Sequence, residues 1–333
     1  MRFRFLVRRC ASVAASAVVV SGVGCGSSGS STVRVVIPSG SSFTAAVDSL
    51  ARARVVGSPR LFRLYASMRH RDRDLKAGTY AFDRGASWNT VLDALTRGKG
   101  LVHTVTIPEG FALSSIAPLL ARALSVPPES VMAAASDSEL RRRLDVPTPT
   151  LEGYLFPDTY TFAEGTAPER AVDMLVARFE QVWKPEWTGR LQELAMSRHD
   201  VVTLASIVEK EARLPQERPV ISAVYHNRLK RGMLLQADPT VQYALGRHVD
   251  RVLYRDLEVD SRYNTYKHAG LPPGPIASPG AASIEAALYP ANVPYLYFVA
   301  HPDGHHEFRE TFAEHTEARA QIRRANPPRP SNR

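Results

Sequence analysis

Residues 201–213, VVTLASIVEKEAR, decide how the second half of this chain folds. The apolar side chains of Leu204, Ile207 and Val208 have the i, i+3, i+4 spacing of an α-helix with one face in the core. The next position on that face is Glu211, where the pattern calls for an aliphatic residue. Burial disfavours a charged carboxylate and raises its pKa, so a glutamate here can hold a proton near neutral pH. Glu211 is therefore a candidate general acid.

The same helix carries a second glutamate, Glu209, two residues before Glu211. Two residues correspond to about 200° around an α-helix, so we expect Glu209 on the opposite face, in contact with water. The two glutamates are then not equivalent. A structural alternative for Glu211 stays open, because a carboxylate on an apolar face can also pair with a buried arginine or cap a neighbouring element.

Length and composition describe a folded protein of two or three domains. The 333 residues are 44% hydrophobic and carry a net charge of +9, and arginines crowd the two ends of the chain. The remaining body is mildly basic, which suits an anionic polymer or a membrane surface, and no motif indicates nucleic acid as a partner. Both cysteines, Cys10 and Cys25, lie near the N-terminus, so the rest of the chain has no disulfide, thiol nucleophile or thiolate metal site.

Residues 1–32 are predicted to be a signal or membrane anchor followed by a Gly/Ser tether. Arginines precede an apolar run of about 15 residues, which is typical of a signal peptide and is short for a membrane span of about 20. Small residues stand before Cys25, as they do before a lipidated cysteine. A lipoprotein, a cleaved signal and an uncleaved anchor stay open, and each places the body outside the inner membrane, on its periplasmic side.

The first half of the chain contains an internal repeat. IPSG at 37–40 matches IPEG at 107–110 at an offset of 70 residues. GTYAFDRG at 78–85 matches DTYTFAEG at 158–165 at an offset of 80 residues. Two independent matches in the same order indicate two related structural units.

We place these two small α+β units at residues 33–100 and 101–185. Each is predicted to contain a strand, a Pro/Gly turn, a helix and a second strand that leads into another helix. The units could be scaffolding, or they could bind carbohydrate by stacking aromatic rings on sugars. In the second unit Glu152 and Asp158 accompany the aromatic residues, which makes it the better candidate to line a cleft. The candidate aromatic residues are Tyr80, Phe82, Trp88, Tyr154, Phe156, Tyr160 and Phe162.

The next part of the chain, residues 186–320, carries the polar motifs and is expected to be the catalytic domain. GLPPGPIASPG at 270–280 predicts a rigid loop of the kind that often builds sites. The histidine-rich stretch at 301–306 contains an Asp-Gly turn signal, so we interpret it as a hairpin rather than a metal site. Nucleotide-binding and serine-hydrolase motifs are absent from the sequence, and we expect neither a metal nor an organic cofactor. Residues 321–333 predict a basic disordered tail.

Eight motifs in a fixed order resemble the endolytic murein transglycosylases of the MltG (YceG-like) family. The resemblance covers residues 33–320. The motifs are KAGTYAF (76–82), LEGYLFPDTY (151–160), ASIVEKEA (205–212), NRL (227–229), LQADPTVQYALG (235–246), YNTY (263–266), GLPPGPIASPG (270–280) and PYLYFVA (294–300).

The resemblance implies an α+β fold, in which duplicated LysM-like α+β units precede a mixed α/β catalytic domain. It also implies cleavage of the β-1,4 bond between N-acetylmuramic acid and N-acetylglucosamine within peptidoglycan. The family's catalytic glutamate, the second in EKE, falls on Glu211. Glu211 would protonate the glycosidic oxygen, and the C6 hydroxyl of the muramic sugar would then close a 1,6-anhydro ring. No second carboxylate is needed, unlike in most glycosidases.

We expect polar residues of the neighbouring motifs to bind the N-acetyl and hydroxyl groups of the substrate. They are Gln236, Asp238, Thr240, Tyr263, Asn264 and Thr265. Asp238 supports an alternative function, because a second carboxylate facing Glu211 would permit hydrolysis, as in a muramidase. The other alternative is a non-catalytic lipoprotein that binds the cell wall and does not depend on Glu211.

The family resemblance also implies partners and a place in the cell. The glycan strands would be nascent, and the enzyme would end their elongation by cutting them beside the membrane-bound peptidoglycan synthases, the penicillin-binding proteins. The N-terminal anchor or a lipid would hold the protein at the inner membrane, with the catalytic domain on the periplasmic side. Two features depart from the family: Ala237 stands where threonine is common, and the N-terminal anchor is shorter than usual.

Overall fold

The computed structural model describes residues 32–38, 40–98, 101–247, 249 and 252–325. The predicted signal or anchor with Cys10 and Cys25 lies outside the described residues, as do the last eight residues of the predicted tail. Within the described ranges, no helix has the length and apolar character that crossing a membrane requires. The fold is mixed α and β, as expected at the level of class.

The first unit is a two-stranded antiparallel sheet with three helices. Val35 lies opposite Tyr80 in the strand pair. The helices begin where the sequence supplies caps: the Ser42 and Ser87 hydroxyls accept hydrogen bonds from backbone N–H groups of the first turns of α1 and α3. The elements are β1 (Thr32–Ile37), α1 (Phe43–Arg52), α2 (Pro59–Met68), β2 (Gly78–Asp83) and α3 (Trp88–Arg97).

The second unit has the same element order with one extra short helix between its strands. Val105 lies opposite Tyr160, so the register repeats that of Val35 and Tyr80. Each tyrosine hydroxyl donates to the carbonyl four residues before it, at 2.6 Å in both units. The elements are β3 (Val102–Thr106), α4 (Leu113–Leu124), α5 (Pro128–Ala134), α6 (Ser138–Arg143), β4 (Thr159–Ala163) and α7 (Pro168–Val182).

The aromatic residues of the repeats are core residues. Six of the seven candidates for sugar stacking are at most 7% exposed, and the seventh, Trp88, packs edge-on against Phe62. An aromatic face that is covered by protein cannot receive a sugar ring. The prediction that the six buried rings stack on sugars is therefore wrong, and they stabilise the two units instead.

The third part of the chain is mostly helical. It ends in a β-hairpin whose turn, residues 301–305, is the predicted one, and in a helix that includes residues 321–325 of the predicted tail. Helical structure for these five residues corrects the tail boundary. The elements are α8 (Pro185–Leu194), α9 (Arg198–Glu211), α10 (Arg218–Lys230), α11 (Asp238–Ala244), α12 (Ala281–Leu288), β5 (Tyr297–Ala300), β6 (His306–Arg309) and α13 (Phe312–Ala325), with 3-10 turns at Pro215–Glu217 and Asp256–Glu258.

Helix α9 is the centre of the larger of two hydrophobic cores. A capping box starts it: Ser197 accepts from the backbone N–H of Asp200, whose carboxylate accepts from the N–H of Ser197. Every residue from 201 to 208 is at most 1% exposed, because α8, α10, α11 and α12 pack around the helix. This core continues into the second unit without a break, whereas the first unit has a core of its own.

Candidate active site

Glu211 is the last residue of α9 and lies half-buried beside α10. The hydroxyl of Tyr225 donates a hydrogen bond of 2.9 Å to its Oε1 atom. Tyr225 is 1% exposed, and its ring packs edge-on against Phe298 of β5 with 6.0 Å between ring centroids. Burial raises the pKa of the Tyr225 hydroxyl well above its ordinary value, so this hydroxyl stays protonated and acts as a donor.

Burial raises the pKa of the Glu211 carboxyl to about 7. The negative charge of Asp238 also raises this pKa, while the Tyr225 hydrogen bond and the positive charge of Arg228 lower it. A carboxyl group with a pKa near 7 is protonated in about half of the molecules at neutral pH. Such a group can give a proton to a leaving oxygen and can take one back afterwards, which suits a general acid and base.

Glu211 does not form the structural ion pair that the sequence left open. Arg228 is the nearby buried arginine, but its guanidinium donates to the carbonyls of Leu296 at 2.7 Å and Leu235 at 2.6 Å. Among the described residues, no arginine or lysine lies within ion-pair distance of Glu211. The carboxyl therefore has one protein hydrogen bond, from Tyr225, and has capacity left for a ligand.

Asp238 is brought to the same place by the start of α11. It is the first residue of that helix, its side chain is exposed, and its Oδ1 atom accepts a 2.5 Å hydrogen bond from the hydroxyl of Tyr266. Its charge acts on the pKa of Glu211, as a carboxylate in the same cleft would. The structure thus brings together Glu211, Asp238 and Tyr266, of which sequence reasoning had not singled out the last.

Three of the predicted substrate-binding residues are buried and have internal partners. Thr240 and Thr265 share a 2.9 Å hydrogen bond, and Thr265 also accepts from the N–H of Ala237 at 3.0 Å. Asn264 donates to the carbonyls of Leu257 and Val259 and accepts from the N–H of Tyr266. At 0 to 1% exposure these side chains cannot reach a ligand, so the prediction that Thr240, Asn264 and Thr265 bind substrate is wrong.

The three buried residues instead fix the loop that presents their neighbours. Gln236 has a left-handed backbone, with φ of 49°, and its N–H donates to the carbonyl of Thr265 at 3.1 Å. The Gln236 side chain is exposed, as is that of Asp238, two residues further along the sequence. Tyr263 is half-buried, with its ring centroid 4.8 Å from that of Tyr243. Gln236, Asp238 and Tyr263 are therefore the predicted substrate-binding residues that retain an open surface.

Glu209 does not face water, which corrects the expectation for that side of α9. Its Oε2 atom accepts from the N–H of Gly280 at 3.1 Å and from the hydroxyl of Ser283 at 2.7 Å, at the start of α12. Its Oε1 atom lies 3.5 Å from Nη2 of Arg218. The helical angle was predicted correctly, but the start of α12 covers the face opposite Glu211, and Arg218 reaches it from the first turn of α10. Glu209 is thus the carboxylate that caps a neighbouring element.

Glu152 is a second glutamate with a raised pKa, and it is also structural. Burial raises the pKa of its carboxyl to about 7, against the effect of hydrogen bonds from Leu113 and Tyr243. The backbone N–H of Leu113, the first residue of α4, donates to both of its oxygens at 2.9 and 3.1 Å. Glu152 is 5% exposed, so it joins α4 to α11 and does not line a cleft. Asp158 pairs with Arg178 at 2.8 Å on the surface.

The loop at 270–280 is held against α9 and the second unit, as its rigid composition predicted. The N–H of Ile276 donates to the hydroxyl of Ser206 at 3.0 Å. Ser278 exchanges backbone hydrogen bonds of 2.8 Å with Gly110 and Phe111. In the described part of the chain, no three histidine, cysteine, aspartate or glutamate residues are grouped as a metal site would need.

Comparison with known proteins places these features in a family. The model of the YceG-like family matches residues 35–321. The endolytic murein transglycosylase of Bacillus subtilis (strain 168) is 37% identical over 306 residues, which cover 86% of this chain and 84% of the relative. The endolytic murein transglycosylase of Streptococcus pneumoniae serotype 2 is 31% identical over 299 residues, 80% of this chain and 54% of that protein. The crystal structure of a putative yceG-like protein from Listeria monocytogenes superposes with a TM-score of 0.62 at 35% identity, over 86% of this chain and 98% of that one.

Proposed function

Since the chain belongs to the YceG-like family, we propose that it is an endolytic lytic transglycosylase of peptidoglycan. It cleaves the β-1,4 bond between N-acetylmuramic acid and N-acetylglucosamine inside glycan strands and leaves 1,6-anhydro ends. Relatives with this activity in their names support the proposal. The observation that carries it is the Glu211 carboxyl, with a pKa of about 7 and one protein hydrogen bond, at the edge of an exposed polar loop.

Glu211 acts first as an acid and then as a base. Its protonated carboxyl gives a proton to the glycosidic oxygen, and the bond from that oxygen to C1 of the muramic sugar breaks. The C6 hydroxyl oxygen of the same sugar then bonds to C1, and its proton returns to the Glu211 carboxylate. The proton that Glu211 gives to the leaving oxygen is replaced by the proton of the C6 hydroxyl, so water is not needed. No second carboxylate therefore has to act as a nucleophile or base.

The neighbours of Glu211 prepare it for these two steps. The Tyr225 hydroxyl stabilises the carboxylate that forms after the first proton transfer, since a hydrogen bond to the charged form favours it. The negative charge of Asp238 favours the positive charge that develops on the muramic ring in the transition state. Tyr266 holds Asp238 in place through the 2.5 Å hydrogen bond.

The same proposal includes the roles of the two N-terminal units and of the N-terminal apolar segment. The two N-terminal units are LysM-like and bring the enzyme to glycan strands, and their matching registers support a common origin. The N-terminal apolar segment holds the protein at the inner membrane, with the body on the periplasmic side, beside the penicillin-binding proteins that make the strands. The segment's signal-like composition supports this placement.

Mass spectrometry of the products tests the proposal. The full chain and its Glu211→Gln variant are incubated with lightly cross-linked peptidoglycan, and Glu186→Gln, an exposed glutamate of α8, is the control. We expect anhydro-ended fragments from the wild type and the control and none from Glu211→Gln. Products with reducing ends would support a hydrolase that uses Asp238 instead. Full activity of Glu211→Gln would overturn the role of this residue.

A further inference from the structure

A concave site lies at the end of β5, in the same part of the chain as Glu211. It is a cavity of about 390 Å³, open to solvent. Val299 and Ile322 contribute apolar lining, and Arg213, His301, Arg319 and Arg323 also line it. Three arginines therefore border one small surface.

The three arginines have no carboxylate partner in the part of the chain that the structure describes. Neither Arg213, Arg319 nor Arg323 lies within 4.0 Å of an acidic side chain, and all three are exposed. Two acidic residues lie near this end of the hairpin: Asp303 pairs with His305 at 2.6 Å, and Glu307 accepts from His301 at 2.9 Å and also pairs with Arg309. The cavity therefore has an excess of positive charge, which attracts an anion.

The position of the cavity ties it to the candidate acid. Arg213 follows Glu211 by two residues, so their Cα atoms are at most about 7 Å apart. Neighbouring side chains of strand β5 face opposite sides: Phe298 packs against Tyr225, the donor to Glu211, and Val299 lines the cavity across the strand. A polymer whose backbone lies at Glu211 would reach the arginines with a peptide branch of several residues, which spans up to about 3.5 Å per residue.

We infer that this cavity, lined by Arg213, Arg319 and Arg323, binds a carboxylate of the stem peptide attached to the muramic sugar beside the cleaved bond. The inference rests on the proposed function. The sugars of a glycan strand are themselves uncharged, and the stem peptides carry its carboxylates. The planar guanidinium fork of arginine matches a carboxylate with two parallel hydrogen bonds. The same chemistry would accept the diphosphate of a lipid-linked strand end, so the test includes that source.

The test compares peptide-bearing glycan strands with the same strands after carbodiimide coupling to ammonia has converted the peptide carboxylates to neutral amides. The full chain carries Arg213→Gln, Arg319→Gln or both, and Arg60→Gln, an exposed arginine of α2, is the matched control. We expect each single variant to raise KM on peptide-bearing strands by roughly threefold to tenfold, with kcat unchanged, because a charge-assisted hydrogen bond at an exposed site is lost. On the amidated strands the variants have the same KM as the wild type. Added salt reduces the difference between variant and wild type.

Three outcomes would overturn the inference. They are an equal change of KM on both kinds of strand, no change on either, and a change confined to strands that still carry the lipid diphosphate, which would assign the cavity to phosphate.

Sedimentation with peptide-bearing strands measures binding without catalysis. Arg213→Gln should weaken the binding of the Glu211→Gln variant, and equal binding with and without Arg213→Gln would also overturn the inference. If the wild type binds strands through Arg213 but cuts none, the proposed function fails and the anion site stands.

Discussion

The hydroxyl of Tyr225 donates to the carboxyl of Glu211 across the contact between α10 and α9, at 2.9 Å. The two largest effects on this carboxyl oppose each other, because burial raises its pKa and the hydrogen bond lowers it. Together with the charges of Asp238 and Arg228 they leave the pKa at about 7.

Tyr225→Phe should move the pH dependence of cleavage to higher pH. The proposed acid must be protonated, so kcat/KM falls as pH rises through the pKa of Glu211. Without the donor that pKa rises, and the falling limb moves with it. The measurement is kcat/KM on soluble glycan strands from pH 5 to 9, with Tyr289→Phe, an exposed tyrosine, as control. A falling limb that does not move would contradict this account of Tyr225.

Asp238→Asn should move the same limb in the opposite direction. The negative charge of Asp238 raises the pKa of Glu211, so its removal lowers that pKa and the falling limb appears at lower pH. The activity at pH 8 then drops more than the activity at pH 6. Asp74→Asn, an exposed aspartate of the first unit, serves as the control. Shifts of the same sign in Tyr225→Phe and Asp238→Asn would show that at least one of the two residues does not act on the pKa of Glu211 as described.

Glu152→Gln should flatten the dependence of stability on pH. Burial raises the pKa of Glu152 to about 7 in the folded protein from the ordinary 4.5 of a glutamate carboxyl, so the folded protein binds the extra proton between these values. The free energy of unfolding therefore falls as pH rises from about 4.5 to 7, by on the order of 3 kcal/mol for this group. Urea unfolding at pH 5 and pH 8 measures the effect. The variant should lose clearly less stability than the wild type over this interval, and an equal loss would contradict the buried state of Glu152.

Gly153→Ala should destabilise the protein more than Gly165→Ala. Both glycines have positive φ, 83° and 77°, so both substitutions strain the backbone by about 1 kcal/mol. An added Cβ at Gly153 would lie 2.4 Å from Cβ of Pro275, whereas the one at Gly165 meets nothing within 4 Å. We expect Gly153→Ala to cost roughly 1 to 3 kcal/mol more. Thermal unfolding of the two variants tests this. Equal melting temperatures would show that the loop at 270–280 moves away from the added Cβ at little cost in free energy.

The sequence predicted those features of the site that depend only on the local residue pattern. The spacing of Leu204, Ile207 and Val208 set the angle of Glu211 on its helix, and no distant contact was needed for that result. Glu209 was placed at the correct angle and in the wrong surroundings, since its environment depends on α12, which begins 72 residues later. A helical angle is local information, whereas burial of a given face is not.

The predicted substrate-binding residues also show that local sequence does not determine what surrounds a side chain. Thr240, Asn264 and Thr265 have side chains that suit sugar hydroxyls, but the same groups also suit backbone N–H and carbonyl groups in a tight loop. The turn-rich composition predicted the loop and could not tell these two uses apart. Tyr225 gave no sequence signal beyond an ordinary helical tyrosine, because its partner is 14 residues away on another helix.

The matching registers of the two strand pairs have a further consequence for modularity. Paired positions are 45 residues apart in the first unit, Val35 and Tyr80, and 55 apart in the second, Val105 and Tyr160. The added length falls in the connection between strands, which is also the connection that carries Glu152 and Gly153 to the catalytic part. The first unit, which has a core of its own, is thus a module that could be exchanged for another small domain. The second unit cannot be exchanged in this way, because its longest connection packs in the interior of the enzyme.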